Sequence, residues 1–281
     1  MMSLYTGTPG SGKSLNCAQL IMRWNKLYRT NIISVNLKLN KQEIYKDVKK
    51  YRHRLLDKRY RSDKRLNKVN VNYFNVPRNK RGVIYNIMDF NDISPDFFYR
   101  YALRFHKKGR EHQTLIIIDE AQMFFSQEEL KKKNQEWKEY WAKKFLTDEE
   151  KLERQTAPYR NGYLHDWIEF FTHHRHMGFD IVLISQYDKL ISAKVRACFE
   201  YNFVHRKVNN FGAGFVLTLF GISCFIVHQH WYGAHVKCGV KFFIYHRRYA
   251  KIYDSYKLFD EIKFRFDKMK IENKIENENE I

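Results

Sequence analysis

A glycine-spaced loop between a short apolar strand and an amphipathic helix constrains this chain more than any other feature. In GTPGSGKS four residues separate Gly7 from Gly12, and Lys13 and Ser14 follow directly. That is the spacing of a phosphate-binding loop, in which backbone N–H groups wrap phosphate oxygens, the lysine reaches the terminal phosphates and the serine hydroxyl ligates Mg²⁺. Such a loop needs a strand before it and a helix after it. Met2 to Thr6 reads as the strand, and Lys13 to Tyr28 places Leu15, Ala18, Ile21 and Met22 on one helical stripe. Gly7, Thr8, Pro9, Gly10, Ser11, Gly12, Lys13, Ser14 and Leu15 are therefore the expected ATP-binding residues.

The rest of the pattern alternates strand and helix. Asn31–Val35 and Gly82–Ile87 read as strands, and a helix opens at Ser94 as N-cap with Pro95 in the first helical position, closing at Gly109. The next strand, TLIIIDEAQ, is a continuous apolar run that ends abruptly in Asp119 and Glu120. Residues 127–158 set Trp137, Tyr140, Trp141 and Phe145 at helical spacing, which predicts an inserted helix whose aromatic face packs on the core or on a partner. A helix over His165–Met177 then leads into FDIVLISQ, a strand ending in Ser185 and Gln186. This alternation predicts an α/β fold, a P-loop NTPase with a mainly parallel sheet covered by helices on both faces. Aromatic and β-branched runs after Phe199 predict a C-terminal β-rich extension. The expected organisation is an ATPase core over residues 1–208 with inserted helices near 41–70 and 126–158, a β-rich end of the same domain over 209–258, and a flexible charged tail over 259–281.

Phosphoryl transfer to water needs a cradle for the phosphates, a metal, a group that positions water and positive charge for the transition state. Lys13 and Ser14 supply the first two, with Asp119 as the second Mg²⁺ residue at the carboxyl end of its strand. Glu120 is the expected water-positioning carboxylate, and Gln186 is placed to sense the γ-phosphate through its amide. Arg175 in HHRHMG and Arg196 in AKVRAC are candidates for a cation that reaches the nucleotide of a neighbouring subunit. His173, His174 and His176 read as packing and surface residues. The four cysteines are scattered and no CxxC or HExxH occurs, so free, mostly buried thiols are expected rather than disulfides or a zinc site.

A formal net charge of +20 calls for an anionic partner, a nucleic acid, an acidic protein or the inner leaflet of a membrane. The charge concentrates in residues 46–68, where eleven Lys or Arg stand against three Asp with Tyr51 and Tyr60 interleaved. A solvated helix face and a phosphate-contacting surface are both open for that stretch. The uncharged run 211–227 has the minimum length for a membrane span, but its three glycines and β-branched, aromatic composition favour one or two buried strands over a membrane hairpin.

MSLYTGTPGSGKS, TLIIIDEAQMFFS, HHRHMGFDIVLISQ, VRACFEYNFVHRKVNNFGAGF and YHRRYAKIYDSY occur here in the order found in the zonula occludens toxin family, the assembly ATPases of filamentous phages, and the chain resembles that family over about residues 2–256. The resemblance implies an ATP-hydrolysing motor similar to the FtsK and HerA class, a hexameric ring at the cytoplasmic face of the inner membrane that exchanges the binding protein of phage single-stranded DNA for coat protein during extrusion. It matches Gly7, Gly12, Lys13 and Ser14 to the Walker A positions, Asp119 and Glu120 to Walker B, Gln186 to the polar strand-end position, and residues 211–227 to strand. Many members continue past the YDSY motif into a transmembrane helix. Here a charged tail of about twenty-five residues follows instead, which leaves three readings open: recruitment by a membrane partner, insertion of residues 211–227, or a truncated form of the chain. Two other functions remain open on the sequence, a plasmid or conjugative DNA translocase and a nucleotide-gated scaffold with little hydrolysis.

Overall fold

The computed structural model describes residues 1–28, 31–44, 83–88, 90–142, 159, 161–234 and 236–253. The basic stretch 46–68, Phe145 with the second half of the 126–158 insertion, and the tail 259–281 lie outside the described residues. Eight described strands, β1 Met2–Thr6, β2 Asn31–Val35, β3 Ile84–Ile87, β4 Thr114–Ile118, β5 Phe179–Ile184, β6 Tyr201–Lys207, β7 Cys224–Trp231 and β8 Val236–Ile244, form one sheet. Its order is β3-β2-β4-β5-β1-β6-β7-β8. The first six strands run parallel and β7 and β8 join antiparallel. The helices are α1 Lys13–Tyr28, α2 Pro95–Phe105, α3 Gln122–Phe125, α4 Gln127–Ala142, α5 Tyr163–His173, α6 Ala193–Arg196, α7 Phe215–Leu219 and α8 Arg247–Ala250.

The central strands are mostly apolar because both faces of the sheet are covered. Every residue of β1, β4 and β5 is buried. On one face Leu4, Ile116, Ile118, Ile181 and Leu183 meet Phe98 of α2 and Trp167, Phe170 and Phe171 of α5. On the other Tyr5, Ile117, Val182 and Ile184 meet Cys17, Ala18 and Ile21 of α1. The first core is dense in aromatic rings, with Phe98 stacked on Phe170 at 4.9 Å between centroids. Full burial of each such side chain contributes about 1.5–3 kcal/mol.

Local signals act as expected at α2: the Ser94 hydroxyl accepts the Phe97 N–H at 3.1 Å and Pro95 opens the helix. The helix stops at Phe105, earlier than the expected Gly109, because His106 turns into extended backbone and seats its ring against the Met177 carbonyl and the Thr114 hydroxyl. The aromatic stripe of α4 divides, Trp141 buried and Tyr140 half exposed, while the Trp137 indole N–H donates to the Tyr159 carbonyl. Cys17 alone of the four thiols is buried, and none is paired.

Residues 211–227 correct the sequence expectation of strand. Only Cys224–Val227 belong to a strand; Gly212–Gly214 form a turn and Phe215–Leu219 a short helix. Gly212 and Gly221 sit at φ +51 and +66, a backbone region incompatible with extended pairing, so the run folds back over itself before β7 begins. Leu219 and Phe220 are left 77% and 74% exposed at its tip. No described helix is long and apolar enough to cross a membrane.

Candidate functional site

Parallel β1, β5 and β4 are neighbours, and the segments that leave their carboxyl ends meet in one crevice. The Gly7–Ser14 loop follows β1, Asp119 and Glu120 follow β4, and Gln186 follows β5. Register keeps them level, with Tyr5 opposite Ile184 and Ile118 opposite Leu183. Crevices at the carboxyl ends of open α/β sheets are where such folds gather ligands.

The loop's shape depends on its glycines. Gly7, Gly10 and Gly12 have φ of +145, +74 and +91. A Cβ on Gly7 would stand 2.4 Å from the His205 carbonyl oxygen, and one on Gly12 would stand 2.7 Å from the Phe225 ring, whereas the space around Gly10 is open. The Gly7 N–H donates to the Gln186 carbonyl at 3.1 Å, which ties the loop to the end of β5. Lys13 points into the crevice, its Nζ donating to the Gly7 carbonyl at 2.5 Å and the Thr8 carbonyl at 3.2 Å. Burial lowers its pKa, and the nearby charges of Glu120 and Asp119 act in the opposite direction. The Ser11 hydroxyl is buried beneath the loop with no hydrogen-bond partner among the described residues.

Asp119 and Glu120 turn sharply off β4. The Asp119 N–H donates to the Val35 carbonyl and the Ala121 N–H to the Ile184 carbonyl, which pins the turn to the strands on either side. Glu120 is thereby held at φ +48, an uncommon conformation for a residue with a side chain and one that concentrates at functional sites. Its N–H donates to the Asp119 carboxylate at 3.0 Å, and its own carboxylate accepts the Gln122 amide. Gln122 is a site residue that the strand-end reading of Asp119 and Glu120 did not single out, although DEAQ contains it. Desolvation pushes the Asp119 carboxyl up to about 6, with the Glu120 charge adding to the rise and Lys13 and the Glu120 N–H opposing it.

That shift gives a stability prediction. Because the folded pKa stands above the ordinary 3.8, the contribution is present at low pH and is lost as pH rises through about 6. At pH 7.5 the nucleotide-free fold therefore carries a costly, largely desolvated charge, on the order of 3 kcal/mol. Asp119→Asn keeps the acceptor for the Glu120 N–H, and should raise Tm by roughly 6–12 °C at pH 7.5 and by far less below pH 5. A lower Tm at pH 7.5 would show that the carboxylate is stabilising where it sits.

Gln186 is exposed at the crevice rim, fixed through its backbone. Ser14 and Leu15 lie in the first turn of α1, Leu15 buried. Thr8, Pro9 and Gly10 are at the exposed or half-exposed tip of the loop. Arg175 precedes β5 and pairs with Glu111 at 3.0 Å, at the amino ends of the strands, about 20 Å from the loop by the rise of six strand residues. Arg196 is half buried beside Tyr232. Arg175 does not belong to the crevice of its own chain. A cavity of about 450 Å³ opens alongside the loop, bounded by Gly7, Thr8, Gln186, Asn202 and Arg206.

Glycine-shaped walls, a lysine and a desolvated carboxyl close enough to act on each other, and a buried Ser11 hydroxyl without a partner among the described residues fit a nucleotide triphosphate with its Mg²⁺. Comparison with protein families agrees: the family model described as Zonular occludens toxin (Zot) matches residues 1–257. Among solved structures, the N-terminal domain of zonular occludens toxin from Neisseria meningitidis is 14% identical, with 90% of this chain and 98% of that one covered at a TM-score of 0.39. The B204 DNA-packaging ATPase from Sulfolobus Turreted Icosahedral Virus is 13% identical over 86% and 95%, at a TM-score of 0.42. A KaiC-like protein from the hyperthermophilic archaeon Pyrococcus horikoshii is 12% identical over 87% and 84%, at a TM-score of 0.41. Comparison with curated proteins returned no match.

Proposed function

The chain belongs to the Zonular occludens toxin (Zot) family, and from that premise we propose that it is an ATP-hydrolysing motor that drives assembly and extrusion of a filamentous phage at the cytoplasmic face of the inner membrane. The observation that carries this reading is the convergence of Lys13, Asp119 and Glu120 in one crevice from two separate strand ends. Ser14 and Asp119 would hold Mg²⁺, whose chemistry when bound is to neutralise charge on the phosphate oxygens. Lys13 offers an ammonium to the terminal phosphates, and the glycine-lined backbone presents its N–H groups to them. Glu120 is held by its backbone and by Gln122 so that its carboxylate can orient water and take its proton. Gln186 stands at the rim where an amide can contact the terminal phosphate.

Arg175 lies at the amino ends of the strands, too far from this crevice to serve its own chain, while Arg196 meets Tyr232 in the wall of the cavity beside the loop. A ring, probed as a hexamer, that seats one subunit's strand amino ends near the next subunit's loop would give Arg175 a role in trans, with Arg196 the second candidate. A protein that stays monomeric at full turnover, measured by sedimentation in Mg-ATP, would overturn the ring.

The cargo assigned is single-stranded DNA with coat protein. Its support is the basic stretch 46–68, where even four phosphate contacts give a log–log salt slope of about −3 on single strands. Tyr51 and Tyr60 add rings for bases to stack on, worth about 1–3 kcal/mol each. Reversing Arg52, Arg54, Arg59 and Arg61 to Glu should cut single-stranded DNA affinity at least ~100-fold at moderate salt and abolish any stimulation of ATP turnover by DNA, with basal turnover little changed. Unchanged DNA affinity together with lost binding to anionic vesicles would reassign the stretch to the membrane. The exposed Leu219–Phe220 tip supports a separate contact with the membrane or with a membrane-bound partner.

A further inference from the structure

The phosphate loop is braced by a strand that its sequence motif does not include. His205 of β6 is 1% exposed. Its Nδ1 lies 3.1 Å from the Thr6 carbonyl oxygen and its Nε2 lies 2.8 Å from the Asn16 amide nitrogen. A carbonyl oxygen only accepts, so Nδ1 carries the proton, and Nε2 is left as the acceptor that the Asn16 amide requires. One ring thereby joins the last residue of β1 to the first turn of α1, the two ends of the loop.

Three neighbouring contacts close the same brace. The Thr6 hydroxyl donates to Asn202 at 3.0 Å, the His205 carbonyl abuts Gly7, and Phe225 of β7 abuts Gly12. Burial pushes the His205 ring down to about 4, with Lys13 acting in the same direction and the Thr6 and Phe203 carbonyls opposing, so the neutral tautomer persists at physiological pH.

We propose that His205 is a positioning residue for nucleotide binding: acting through Thr6 and Asn16, it holds the loop's entry and exit at the separation that turns its N–H groups toward one set of phosphate oxygens. The role rests on the nucleotide reading above. His205 itself touches no substrate. Losing the brace lets the loop sample other shapes, and the cost falls on binding, because the water-positioning carboxylate is anchored separately to β2 and β5.

The test is steady-state hydrolysis and Mg-ATP titration of the full chain with variants at both ends of the brace. His205→Ala should raise KM and Kd about 10-fold or more while kcat at saturation stays within about 3-fold. Asn16→Ala should raise them about 3- to 10-fold, and the double variant should be no worse than His205→Ala alone, since residues in contact do not act additively. His205→Gln, which keeps an acceptor within reach of Asn16, should recover much of the loss and restore sensitivity to Asn16→Ala. Wild-type KM in a folded His205→Ala protein, or fully multiplicative effects, would overturn the role. If His205→Ala does not fold, Asn16→Ala alone decides it, unchanged affinity counting against. Absence of Mg-ATP binding in the wild type would overturn the nucleotide reading itself, whereas wild-type binding with unaffected variants would overturn only this role.

Discussion

Glu120→Gln is expected to lower kcat for ATP hydrolysis by about 10²- to 10⁴-fold and to leave Mg-ATP affinity within a few fold. The substitution removes the proton-accepting carboxylate and little else. The backbone of residue 120 is held in its uncommon conformation by the flanking strand contacts of Asp119 and Ala121, which glutamine does not disturb. Its amide oxygen can still accept from Gln122, so the side chain keeps its place. What is lost is basicity toward water, and the loss therefore appears in kcat rather than KM. A trapped, nucleotide-loaded protein is the expected product, visible as tight Mg-ATP binding with no phosphate burst. Turnover equal to wild type would assign water positioning to another group.

The second large effect is expected at Gly12. An alanine there would have to adopt φ +91 and would place its Cβ 2.7 Å from the Phe225 ring. The ring cannot swing clear, because it is buried and stacked on Phe243 at 5.1 Å between centroids. Left-handed backbone costs a residue with a side chain about 1–2 kcal/mol, and overpacking a core adds about 1–3 kcal/mol. Gly12→Ala should accordingly weaken Mg-ATP binding about 30-fold or more, with a fall in Tm of several degrees. Gly10→Ala, at φ +74 in open space, bears only the backbone cost and should weaken binding by about 5- to 30-fold, less than Gly12→Ala. Phe225→Ala in the Gly12→Ala background removes the clash and should recover part of the affinity. Equal effects at Gly10 and Gly12 would mean that backbone freedom alone, and not the wall made by β7, shapes the loop.

The parts of this molecule legible in the sequence are those encoded by neighbouring residues. The apolar run of β4 ending in Asp119, the Ser94–Pro95 helix start and the loop spacing each declare themselves within about ten residues, and the structure has each of them in place. The alternation of these segments was enough to give a parallel sheet with both faces covered. Contacts that span the chain left no such mark. His205 meets Asn16 across 189 positions and Thr6 across 199, and nothing in FVHRKV distinguishes a buried neutral ring from a surface one. The same limit explains 211–227: composition favoured strand, but glycines at positive φ and the need to enter β7 antiparallel to β6 fixed a turn and a short helix instead. Arg175 sits beside a motif that reaches the crevice, yet the crevice is at the other end of the strand, a separation that linear proximity hides.

The measurement that bears most directly on the central claim is phosphate release from Mg-ATP by the purified full chain, run beside Lys13→Ala. Lys13 is the one ammonium in the crevice that approaches Asp119, Glu120 and the loop carbonyls together, among the described residues. Saturable, Mg²⁺-dependent release that falls by about 10²-fold or more in Lys13→Ala, through loss of nucleotide binding, is the predicted result. Release that survives Lys13→Ala undiminished, or a folded wild-type chain that releases no phosphate with or without single-stranded DNA, would contradict it.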